Sequence, residues 1–122
     1  MSGEIEIEVG TSAEEMGRRF IEAWEAAEQG EVREPRRILV FQDFETLISV
    51  LSSARLRLLK HLAREPASSI RALAGSVGRD YRRVHDDVTA LVEAGLIERD
   101  GLRLSVSARS VQARLDLTGE PA

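Results

Sequence analysis

SSIRALAGSVGRDYRRVHDDVTALVEA, residues 68–94, holds two short amphipathic helix patterns separated by Gly78. In the first, Ile70, Leu73, Ala74 and Val77 recur at spacings of three and four behind the cap candidates Ser68 and Ser69. In the second, Val84, Val88, Leu91 and Val92 form the apolar stripe. Arg79, Tyr81, Arg82, Arg83, His85, Asp86 and Thr89 lie off that stripe, with the long cations in or just before the first turn. Ala74 is small where one helix must approach the next closely, and Gly78 stands where the turn calls for a positive φ. The pattern predicts a helix-turn-helix. A helix fits the major groove of B-DNA, and its N-terminal residues reach base edges while its apolar back stays in a core. Arginine brings a two-pronged donor for guanine, or a phosphate contact where no base is met. The second helix starts about one residue late, because Asp87 falls where an apolar residue is often found and Val88 follows it. A winged variant therefore fits better.

On the C-terminal side, Gly95 is a good stop for a recognition helix at about 80–94. Leu96–Arg99 and Leu102–Val106 read as two strands around an Asp100–Gly101 turn, giving a hairpin wing at about 96–106. Arg99 and Arg103 flank its tip, where they reach DNA or simply protect the edges with charge. On the N-terminal side, Ala54–Arg64 reads as a helix with Leu56, Leu58, Leu59 and Leu62 inward and Arg55, Arg57, Lys60 and Arg64 largely outward. Further out, EIEIEV (residues 4–9) alternates strictly and predicts a strand. Ser12 and Glu15 make a capping box for a helix carrying Ala13, Met16, Phe20, Ala23, Trp24 and Ala27. Ile38–Phe41 reads as a second strand, Asp43 as the cap of a helix carrying Phe44, Leu47, Ile48 and Leu51, and VQARLDL (residues 111–117) as a last strand. The expected fold is α+β: a winged helix-turn-helix (52–106) with an N-terminal strand-helix-strand extension (1–51) and a C-terminal strand and tail (107–122).

The formal charge of −4 counts against nucleic acid until its distribution is read. Residues 1–30 carry eight acids and two bases, residues 31–66 five and seven, and residues 67–122 eight of each. The acidity belongs to the N-terminal part, and local patches decide phosphate contact. With no cysteine, disulfides and thiolate metal sites are excluded. No apolar run exceeds Ile38–Phe41 and no signal pattern opens the chain, so a cytoplasmic protein without membrane contact is expected.

Catalysis has little to stand on. His85–Asp86 is an HD dipeptide, but metal-dependent phosphohydrolysis needs several His and Asp ligands converging on one cavity, and the chain has two histidines. Asp86 and Asp87 are adjacent and diverge by about 100° on a helix. No Gly-rich phosphate loop is present. The expectation is a non-enzyme with no metal and no cofactor.

One recognition helix reads few base pairs, and a symmetric pair doubles the contacts on a palindromic operator, so a homodimer on double-stranded DNA is expected. Arg79, Arg82, Arg83 and His85 are the candidate base readers, and Arg55, Ser69, Arg71 and Arg103 the candidate phosphate contacts. Tyr81 is either a DNA contact or a core-edge residue. The strand faces Ile5, Ile7, Val9 and Val111, Ala113, Leu115, with Phe20 and Trp24, are candidates for a dimer or partner interface. EIEIEV and VQARLDL pair with each other, with Ile38–Phe41, or with another copy. A second function from a different class is a winged-helix protein-interaction module without DNA binding, to which the acidity and the extra strands lend weight.

RLRLLKHLARE, SIRALAGSVGRDYRRVHDDVTALVEAGLIERDG and VQARLDL, with the FQDFETLISVLSSAR entry, resemble MarR-like winged-helix regulators, specifically a small subfamily of antitoxin-like transcriptional regulators. The resemblance covers most of the chain and implies a dimeric DNA-binding repressor. Some similar proteins look like antitoxins beside a small toxin of the TumE kind, which makes a toxin an implied partner; nothing in the periodicity points to one. The long terminal dimerisation helices of full-length MarR proteins are missing here, so their dimer geometry and ligand pocket do not carry over.

Overall fold

The computed structural model describes residues 4–31, 37–114 and 117. The five helices among these residues all start on side chains suited to capping. Ser12 opens α1 (Ala13–Glu28), Asp43 opens α2 (Phe44–Val50), Ser52 opens α3 (Ser53–Arg64), Ser69 opens α4 (Ile70–Val77) and Asp80 opens α5 (Tyr81–Glu93). Each side-chain oxygen accepts the amide three residues on, at 2.8–3.3 Å, satisfying a donor that the helix itself leaves free. At Asp43 the Thr46 hydroxyl donates as well as the amide, and together they hold the carboxyl below the usual aspartate range. Gly78, at φ +67°, closes α4 in the left-handed conformation expected of the turn.

The strands β1 (Glu4–Val9), β2 (Arg37–Phe41) and β5 (Ser110–Ala113) form one parallel sheet in the order β2-β1-β5. Ile5 lies beside Arg37 and Val111, and Ile7 beside Leu39 and Ala113. The pairing left open by the sequence is thus made within one chain, with β1 in the middle. The period-two alternation puts Ile5 and Ile7 on the face that meets the helices, where they are 1% and 2% exposed. They are corrected from partner-facing to core: β2 and β5 take the two edges of β1, and apolar side chains of the same chain's helices cover its face. Val9 is half-buried against the same core. The last strand is shorter than the 111–117 expected, and Leu115 lies outside the described residues.

One apolar cluster runs from Ile5, Ile7 and Phe41 through Leu47, Leu58 and Leu62 to Leu73, Val84, Val88, Leu91 and Leu104. α1 contributes nothing buried to it. The helix is tied to β1 by Arg19, whose guanidinium donates to Glu8 and, one turn back, to Glu15. Its apolar stripe, correctly read as a stripe, faces solvent: Phe20, Ile21 and Trp24 are 67%, 57% and 61% exposed.

The hairpin pairs β3 (Glu98–Asp100) with β4 (Arg103–Ser105) in antiparallel register. Its two-residue turn is Gly101–Leu102, one position later than expected. Leu96 and Ile97 explain the delay, since both are buried and their amides bond to Leu91 O at the end of α5, so the chain leaves the core only at Glu98. Gly101 has φ +61° and Leu102 is not positive, the combination of a type II′ turn. Ala67, between α3 and α4, pairs with Leu104 through bonds of 3.0 and 2.8 Å, pinning the hairpin to the helices.

Arg37 braces the two halves of the chain. It donates to Gly95 O (2.7 Å), Glu98 Oε1 (3.2 Å) and Ser107 Oγ (3.2 Å). Gly95 itself has φ +86°, and a Cβ there would stand 3.1 Å from Leu39 Cδ2. Gly95→Ala is therefore expected to lower stability by roughly 1–2 kcal/mol, mostly from backbone strain, with a fall of about 5 °C in Tm measured by circular dichroism.

Candidate nucleic-acid interface

α5 turns Val84, Val88 and Leu91 into the core. At about 100° per residue, this leaves Tyr81, Arg82, His85 and Thr89 on one outer flank and Arg83 and Asp87 on the other. The first flank is continued by α4: the Arg71 guanidinium lies 4.9 Å from the centroid of the Tyr81 ring, and that ring lies 6.0 Å from the His85 imidazole. Arg71, Tyr81 and His85 thus form a file running from one helix onto the next. A guanidinium stacked on an aromatic face keeps its in-plane donors free for a phosphate or base. Tyr81 is exposed, which removes the core-edge reading. Arg82 is exposed beside it and has no ion pair among the described residues. His85 Nδ1 stands 3.7 Å from Asp86 Oδ1.

Two arginines expected on DNA are committed inside the protein. Arg55 Nε donates to Asp87 Oδ1 (3.0 Å) and its Nη1 to the carbonyls of Ser49 and Val50. Arg79 Nη2 donates to Asp87 Oδ2 (2.9 Å). Both are corrected from DNA contacts to a clamp joining the start of α3, the α4–α5 turn and α5. The physical reason is Asp87, a largely buried carboxylate at an otherwise apolar position, whose two oxygens each require a partner. Arg83 is exposed, but about 160° around α5 from Tyr81 and His85, so it does not join their face.

The Ser69 hydroxyl caps α4, accepting from Ala72 N at 3.0 Å. Arg103 is exposed on the hairpin without an ion pair among the described residues, whereas Arg99 Nε folds back onto Gly101 O (3.1 Å). Leu102 forms the hairpin tip and is 68% exposed. Of the partner-interface candidates, Phe20, Trp24, Val111 and Ala113 remain at the surface. Among the described residues no group of three His, Asp or Glu side chains is placed to hold a metal.

The sequence reading passed over a concave feature on the outer side of α3. Arg57, Lys60 and Arg64, which the helix pattern turns outward, gather with His61 and Arg79 around a cleft of about 320 Å³. No single run of sequence signals it, because Arg79 arrives from the α4–α5 turn.

No helix among the described residues is long and apolar enough to cross a membrane. A family model described as HVO_A0114 matches residues 50–113, the stretch from the end of α2 to β5. No curated protein and no solved structure matches the chain.

Proposed function

Since the chain belongs to the HVO_A0114 family, we propose that the matched segment is a winged helix-turn-helix and that the protein is a cytoplasmic, DNA-binding transcriptional regulator. In this reading α4 and α5 are the two helices of the motif, α5 enters the major groove, and the β3–β4 hairpin is the wing. The observation that carries it is the file of Arg71, Tyr81 and His85 beside the free Arg82 on the outer flank of α5. In the proposed pose Arg82 and His85 take base edges, Arg71 and Tyr81 the flanking phosphates, and Arg103 on the wing the backbone or minor groove. The αL turn at Gly78 and the Ala67–Leu104 bridge support the motif by fixing α5 and the hairpin against the same core. The test is a fluorescence anisotropy titration on DNA from upstream of the gene, with competitor, at two salt concentrations. No salt-sensitive binding by the folded protein would sink the reading.

The protein acts as a homodimer repressor on a palindromic site. Phe20, Ile21 and Trp24 give α1 an apolar face that the described residues leave exposed, and a two-fold pairing of this face with a second copy buries it. Replacing both Phe20 and Trp24 with serine is expected to convert a dimer to a monomer in size exclusion with light scattering, without lowering the monomer's helix content. An unchanged mass would exclude α1 as the contact.

The second reading is a protein-interaction module that leaves DNA alone. It draws on the same exposed face, flanked by the acids of α1, which suits a basic partner such as a toxin. Capture of one defined partner through residues 13–28, together with failure of the DNA titration, would favour it.

A further inference from the structure

The cleft on α3 has an unusual lining. Ala54, Leu58 and Val77 form an apolar floor, five cationic or imidazole side chains surround it, and no carboxylate lines it. Arg57, Lys60, His61 and Arg64 have no ion pair among the described residues. Arg79 reaches the cleft with one end of its guanidinium already used, since Nη2 holds Asp87. Its other terminal nitrogen, Nη1, is buried and has no hydrogen-bond partner among the described residues. A buried charged donor left unsatisfied is unfavourable, and several like charges facing one concavity raise the potential there. An anion in the cleft relieves the second of these, the crowding of like charge.

We propose that this cleft binds a small phosphomonoester. The phosphate takes Arg57, Lys60 and Arg64 as donors, with Arg79 adding charge at the rim, while the organic part of the ligand lies on Ala54, Leu58 and Val77. Three phosphate oxygens match donors approaching from several directions, and a dianion answers the charge better than a carboxylate does. The size is at the lower end of small-molecule sites, which suits a ligand of about one ring. A DNA phosphate is the other source of the same chemistry. The floor argues against it, because a backbone phosphodiester has no apolar body to lay there. Position argues against it too: Arg79 and Asp87 stand on the flank of α5 turned away from Tyr81 and His85. The site stands independently of whether the protein binds DNA.

The test is calorimetric titration of the full chain with phenyl phosphate, inorganic phosphate and the neutral benzyl alcohol, with amide shifts from heteronuclear NMR to locate binding. Phenyl phosphate is expected to bind saturably, more tightly than inorganic phosphate, and to move the amides of Leu58, Val77 and Arg79; benzyl alcohol is expected not to bind. Lys60 and Arg64 are exposed, so K60A/R64A keeps the fold, checked by its melting curve, and is expected to bind phenyl phosphate at least about tenfold more weakly. The R71A/R82A variant should bind it as the parent does. No saturable binding at millimolar ligand, or equal binding by K60A/R64A, would overturn the proposal. So would a duplex whose affinity falls in K60A/R64A while phenyl phosphate binds neither protein, since the cleft would then be a seat for DNA backbone.

Discussion

Replacing Arg71 and Arg82 with alanine is expected to weaken binding to the operator by about two orders of magnitude per half-site. A bidentate arginine–guanine pair is worth roughly 1–3 kcal/mol of discrimination, which sets the scale for Arg82. Arg71, a phosphate contact in the proposed pose, adds a loss on all sequences alike and lowers the slope of log K against log salt by roughly 0.9. The two substitutions therefore separate by measurement. R82A narrows the gap between operator and random duplex, while R71A shifts both together. Neither side chain is buried and neither has an ion pair among the described residues, so the melting temperature should hold. If R82A bound operator and random DNA as the parent does, α5 would not be reading bases.

Asp87→Ala is expected to be the most damaging single polar substitution in the chain. It leaves the guanidiniums of Arg55 and Arg79 facing each other without the carboxylate that bridges them. Breaking a buried pair by removing one partner costs about 3–5 kcal/mol, and the partial exposure of both arginines reduces this to roughly 2–3 kcal/mol. A fall of about 10 °C in Tm follows for a chain of this size. Adding Arg79→Ala to Asp87→Ala should restore part of the loss, because the repulsion goes with it. Arg79→Ala alone should be milder, since Asp87 keeps Arg55. Equal melting of Asp87→Ala and the parent would remove the clamp from the account.

These two predictions divide the arginines in a way the sequence alone did not. Local signals are legible: Ser12, Asp43, Ser69, Gly78 and Gly95 announce helix ends, because capping acts within three or four residues of chain. The anomaly at position 87 was visible too, as a charge on an apolar stripe. Its meaning was not, because Arg55 and Arg79 come from different elements and only packing brings them to one carboxylate. The strands at 4–9 and Ile38–Phe41 are legible, the second to within one residue of Arg37–Phe41, but alternation says which face is apolar and nothing of what covers it, so Ile5 and Ile7 read as partner-facing from sequence alone. The stripe on α1 shows the converse, with the right periodicity and no cover from the described residues. The hairpin turn slipped by one residue because burial of Leu96 and Ile97 outweighs the attraction of the Asp-Gly pair.

The strand order has a bearing on how the chain is made. β1 is synthesised before either of its neighbours, and one of the two, β5, lies more than a hundred residues later. The segment from α3 to the hairpin assembles from contacts close in sequence and has what it needs to fold early. The parallel sheet has to wait, holding the apolar edge of EIEIEV open during synthesis, and its closure is the step with the largest loop entropy. The alternating glutamates Glu4, Glu6 and Glu8 give that waiting strand like charges at every second position, which discourages two nascent chains from pairing edge to edge.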